Sequence, residues 1–118
     1  MTTIKMKRAY QQPDASDGYR ILVDRLWPRG LSHEKLDCEV WDKEISPSNE
    51  LREWYHADPE NRWADFIAKY SKELDDNPQV KDFILRVKSH SVVTFVYGAH
   101  DEAHNNAVAL KEYIEKHL

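Results

Sequence analysis

Two short stretches hold most of the residues able to do chemistry. In Asp24-Arg25-Leu26-Trp27-Pro28-Arg29-Gly30, a carboxylate and two guanidinium groups follow an apolar run, Ile21-Leu22-Val23, that reads as the centre of a strand. In His100-Asp101-Glu102-Ala103-His104-Asn105, two imidazoles, carboxylates and an asparagine follow a second buried strand, Val92 to Tyr97, that Gly98 ends. Open α/β sheets gather ligand groups beyond the carboxyl ends of their strands. If the two strands run parallel, both stretches share one rim. Arginine forks and the free N–H groups of a helix start both favour phosphate, sulfate or carboxylate. The expected anion-binding residues are Arg25, Arg29 and Asn105, with His104 and Asp24 as the catalytic pair. Trp27, His100 and Asp101 are expected to wall the pocket or orient its contents.

Each residue also has a plainer role. Asp24 and Arg25 can pair as an end-of-strand ion pair, and Arg29 can stack on Trp27, itself a candidate core residue. Asp101 is most simply the N-cap of the last helix. His100 and His104 have the i, i+4 spacing of zinc ligands, but no glutamate follows His100 and His100 itself precedes the helix, so no metal site is expected. Cys38 has no phosphate-cradling loop after it and reads as a buried structural thiol.

The elements that must carry these residues follow from periodicity. Ile4 to Ala9 alternates as a first strand, and Tyr19 to Leu26 reads as a second whose solid apolar centre suggests burial on both faces. Leu36, Cys38 and Val40 alternate as an extended segment, with a short helix from Val40 to Glu44 as the competing reading. Ser48 caps a helix from Asn49 to Tyr55. Asp58-Pro59 opens a longer one with Trp63, Phe66, Ile67, Tyr70 and Leu74 on one face, and Asn77-Pro78 opens another with Val80, Phe83, Ile84 and Val87 inward. A last helix is expected from about Asp101 to His117, with Ala103, Ala107, Leu110 and Ile114 inside. Helical crossovers between strands predict a three-layer α/β/α fold with a small, mostly parallel, Rossmann-like central sheet, in a single domain over 1–118.

The 118 residues are 41% apolar and 32% charged, with a net charge of -4, an ordinary globular composition that argues against disorder. Mild acidity disfavours DNA as a partner, although Lys5, Lys7, Arg8, Arg20, Arg25 and Arg29 leave room for a local basic patch. One cysteine excludes an intrachain disulfide and fits a reducing compartment. No leader or membrane-spanning run is evident, so a cytoplasmic location without membrane partners is expected. Three glycines in total, with no G-x-G-x-x-G or Walker loop, leave no cradle for a nucleotide cofactor, and none is expected.

Asp17 to Gly30, Trp41-x-Lys43-Glu44-Ile45-x-Pro47-Ser48, Leu51-Arg52-x-Trp54-Tyr55, Asp58-Pro59-x-x-x-Trp63-x-x-Phe66-x-x-x-Tyr70 and Asp101-x-x-His104-Asn105-Asn106-Ala107-Val108-x-Leu110-Lys111 occur in order along nearly the whole chain. In these the chain resembles the domain of unknown function 488 family, YeaO-like branch. The resemblance implies a compact bacterial cytoplasmic α/β protein and no particular activity. Longer relatives are similar in carrying Cys-His-Arg where this chain has Ala103 and His104-Asn105-Asn106. The missing cysteine argues against thiol chemistry here. His100 stands where the branch has arginine, which removes a fixed positive charge from the expected site. Two functional readings follow. One is a rim pocket for an anionic small molecule or nucleotide, acting as a hydrolase or transferase if it catalyses at all. The other is a non-enzymatic regulatory or protein-interaction module using exposed aromatics such as Trp54, Tyr55 and Trp63.

Overall fold

The computed structural model describes residues 1–118. Strands β1 (Thr3–Arg8), β2 (Tyr19–Leu22), β3 (Val40–Trp41) and β4 (Val92–Tyr97) form one sheet in the order β1-β4-β2-β3. Every pairing is parallel, with Ile4 and Tyr19 both opposite Val93, Ile21 opposite Phe95 and Leu22 opposite Trp41. The sheet is therefore wholly parallel. The carboxyl ends of β2 and β4 lie side by side, the geometry on which a shared rim depends.

Helix α1 (His33–Leu36) links β2 to β3; α2 (Asn49–Ala57), α3 (Pro59–Asp76) and α4 (Val80–Lys88) link β3 to β4; α5 (Asn106–Glu115) closes the chain. As a central strand, β4 is covered on both faces, and Val93 through Tyr97 are all buried. Its residues Val93, Phe95 and Tyr97, with Ile4, Ile21 and Val23, meet apolar residues of α2 to α5 in the larger core. Leu22, Val96, Ala9 and Leu36 form a smaller core on the other face, flanked by Trp27, Leu31, Cys38 and Trp41. Helices do flank both faces, but unequally: four pack on one, while the other has only the single turn of α1 and the loops around it.

Several element boundaries differ from expectation, and α4 starts at Val80 with Gln79 as N-cap, after a turn at Pro78, instead of opening at Asn77-Pro78. The β2 ladder stops at Leu22 rather than Leu26. Val23 still donates its N–H to Val96 O at 3.1 Å, but at Asp24 a side chain takes over and accepts the Gly98 N–H at 2.8 Å. The segment after Leu36 contains both competing conformations in miniature, the two-residue β3 and a 3-10 turn over Lys43–Ile45. Helix α5 begins at Asn106, not near Asp101. Asn105, extended at φ -151° and buried, accepts the Val108 N–H at 3.0 Å and is the true N-cap. Asp101 caps only the preceding turn, accepting the N–H groups of Ala103 and His104 at 2.9 Å each. Ala103 is accordingly exposed instead of lying on the inner stripe. No helix is long and apolar enough to cross a membrane.

Candidate functional site

Beyond Val23 the chain turns away from β2 toward α1 on the smaller-core face, whereas beyond Tyr97 it turns toward α5 on the larger-core face. Adjacent parallel strands whose continuations part to opposite faces leave a crevice at their carboxyl ends, the usual ligand position in open α/β sheets. A cavity of about 180 Å³ lies there. Asp24, Arg25 and Leu26 line it from the β2 side, Ala99, His104, Asn105 and Asn106 from the β4–α5 connection, and Pro47, Arg52, Tyr55, His56 and Phe66 from α2, α3 and the turn before α2.

Asp24 anchors the cavity. Its Oδ2 accepts the Gly98 N–H, and a Cβ built on Gly98 would lie 3.2 Å from that oxygen, so the glycine permits a close approach. Its Oδ1 is buried and has no hydrogen-bond partner. Burial pushes the Asp24 carboxyl above its ordinary range, opposed by the Gly98 N–H, the Asn106 amide, and the charges of His56 and Arg52. Arg52 mirrors this state, with a buried Nε that has no acceptor. Arg25 is partly committed, its Nε donating to Pro47 O at 3.0 Å. Asn106 donates to Val23 O at 3.0 Å and so ties the start of α5 to the end of β2. Asn105 is fixed as cap and through its own donation to Asp101 O at 2.8 Å.

The four expected residues Asp24, Arg25, His104 and Asn105 thus come together on one cavity, and four others do not line it. Arg29 is exposed, and its carbonyl accepts the Tyr10 hydroxyl at 2.8 Å. Trp27 donates to Leu31 O at 2.7 Å and packs on His33 and Trp41 in the smaller core, with centroids 4.1 and 5.2 Å away. The Pro28-Arg29-Gly30 turn carries these residues away, because Trp27 is held with the α1 side of the sheet. His100 is exposed, with Nδ1 3.4 Å from Arg8 Nη2. Asp101 faces its own turn and lies 3.4 Å from His104 Nδ1. His104 precedes the cap of α5 rather than sitting in its first turn, and its ring lies 5.0 Å from that of Trp63.

Arg52, Tyr55, His56 and Asn106 are the residues that sequence reasoning missed. Arg52, Tyr55 and His56 stand at i, i+3 and i+4, so they share one face of α2, a spacing visible in the sequence. Nothing local says that this face meets β2. Tyr55 is buried against Trp63 and Phe66, and Trp54 is half-buried beneath Arg62 and Lys69. They are therefore not the exposed aromatic surface expected of an interaction module. Cys38 is half-buried in the smaller core, where burial pushes its thiol up and away from the reactive thiolate. No group of three or more histidine, cysteine or acidic side chains is placed to hold a metal ion.

Fold and cavity together define a small parallel α/β protein with a crevice at its strand ends. Comparison with known proteins places it further: residues 3–118 match the family described as the inactive DUF488-N3 subclade, and the chain belongs to that family. It is 39% identical over 111 residues to the uncharacterised protein YeaO of Escherichia coli, covering 94% of this chain and 96% of that protein. It is 36% identical over 113 residues to the uncharacterised protein Rv3073c of Mycobacterium tuberculosis, covering 96% and 94%. The uncharacterised protein Mb3100c of Mycobacterium bovis matches to the same extent. No solved structure matches the chain.

Proposed function

We propose that the crevice binds a small oxyanion without turning it over, so that the protein acts as a cytoplasmic ligand-responsive module rather than an enzyme. The observation that carries this reading is the pairing, on one cavity, of a buried and partnerless Arg52 Nε with Arg25 and the opening turn of α5. A buried guanidinium N–H without an acceptor is costly, and an oxyanion supplies the missing acceptor with a charge-assisted bond. The first N–H groups of a helix have no acceptor within it and favour negative charge. Size narrows the ligand. Pockets for drug-sized molecules run to roughly 300–1,000 Å³, and about 180 Å³ accommodates a phosphate or carboxylate group in preference to an entire nucleotide. Against hydrolase or transferase chemistry stand the family's description as inactive and the burial of the lone thiol outside the cavity.

Titration of the protein with inorganic phosphate, followed by calorimetry and thermal shift, tests this. Binding should raise the melting temperature as phosphate concentration rises. Arg52→Ala and Arg25→Ala should each weaken binding roughly tenfold or more, while Arg29→Ala, outside the cavity, should leave it unchanged. Equal binding by Arg52→Ala and wild type would remove the reading.

A further inference from the structure

Resting on that reading, we infer that the cavity selects an oxyanion that still carries a proton, hydrogenphosphate being the simplest, over a fully ionised one such as sulfate. Two side chains that line the same small space each carry a buried atom without a partner, and the two atoms differ in kind: Arg52 Nε is a donor and Asp24 Oδ1 an acceptor. No ion pair joins them, and the other Asp24 oxygen already accepts the Gly98 N–H. Hydrogenphosphate meets both demands at once. An unprotonated oxygen accepts from Arg52, and the P–OH donates to Asp24 Oδ1. Sulfate is fully deprotonated wherever a protein stays folded. It can satisfy the arginine but brings a second lone pair against the carboxylate, in a place where neither is well solvated.

The other polar groups around Asp24 do not supply the missing donor: the Asn106 amide, close enough to lower the Asp24 pKa, gives its hydrogen bond to Val23 O. Arg25 on its own segment spends its Nε on Pro47. From α2, Arg52 and His56 bias Asp24 only through their charge. On the segment before α5, His104 lies beside Asp101. Tyr70 of α3 donates its hydroxyl to Ile45 O at 2.5 Å. A trapped water would also satisfy both atoms, and it makes a different prediction, since a site built for water has no preference among anions.

Calorimetric titration of the intact chain with sodium phosphate and with sodium sulfate separates these cases. At neutral pH, phosphate should bind at least about tenfold more tightly than sulfate. Asp24→Asn keeps an oxygen for the Gly98 N–H and places an amide donor where Oδ1 stood. It should raise sulfate affinity about tenfold at neutral pH, a gain that misfolding cannot produce. If Asp24→Asn does not fold, the wild-type ratio at neutral pH decides alone. Equal affinities at neutral pH would overturn the selectivity while leaving oxyanion binding standing; no binding of either anion would overturn both.

Discussion

Asp17, one of several polar residues in an unremarkable turn, is buried at 4% exposure together with Arg20 at 3%. Its carboxylate accepts from Arg20 Nη1 at 2.7 Å, Lys7 Nζ at 3.0 Å and the Asp14 N–H at 3.0 Å. Burial alone would raise its pKa, but Lys7, the Asp14 N–H and Arg20 outweigh it and hold the carboxyl below its ordinary value. Ionisation therefore favours folding, and that contribution is present above the unfolded-state pKa and lost as pH falls through the depressed folded one. Asp17→Asn should cost about 3 kcal/mol at neutral pH, because it strands a buried guanidinium. In urea unfolding the gap between wild type and variant should close as the solution is acidified through that range; a constant gap would show that the ion pair is not responsible. Arg20 is also lost to any basic patch among the first-quarter cations, since it is an internal strut that donates to Asp37 O and Leu36 O. Composition counts charges and cannot say which of them face inward.

At the scale of elements, the entry to β2 is set by Gly18. Its φ is +65°, and a Cβ there would lie 2.4 Å from Val92 O. Both the left-handed backbone and the close approach to β4 exclude a side chain. Gly18→Ala should therefore destabilise the protein by at least about 2 kcal/mol, read as a lower urea midpoint at unchanged slope. By contrast Gly30, at φ +82°, has open space around the position of a Cβ, so backbone strain is its only constraint. Helix starts at Ser48 and Pro59 are readable because their signals are local, a capping hydroxyl at Ser48 and a proline at the first helical position of α3, where the Asp58 side chain makes no cap bond. Ser48 accepts the Leu51 N–H at 3.1 Å. The start of α5 was misread because two residues, Asp101 and Asn105, can each cap. Burial chose Asn105, and burial is not a local property.

For the molecule as a whole, the parallel sheet places β4 at the centre and the two-residue β3 at an edge. Amide hydrogen exchange should be slowest at Val93, Phe95 and Val96, which global unfolding must open, and much faster at Val40 and Trp41. Equal protection in the two strands would contradict this distribution of stability. The sheet's two faces are also unequal in cover, which decides the fate of the Asp24–Gly30 stretch. Trp27 is recruited to the thinly covered side and takes Arg29 with it, leaving Asp24 and Arg25 on the crevice.

The amino-acid order by itself determined the helices with capping residues, the buried central strands, and the family. It also placed Asp24, Arg25, His104 and Asn105 near strand ends, because capping, period and strand termination depend on neighbours a few residues apart. Only the tertiary structure decided that α2 brings Arg52 and His56 across to β2, that Arg29 turns away, and that two side chains lining one cavity each keep a buried atom unsatisfied. Those outcomes depend on which face of each helix meets the sheet, and that is fixed by packing between segments far apart in the chain.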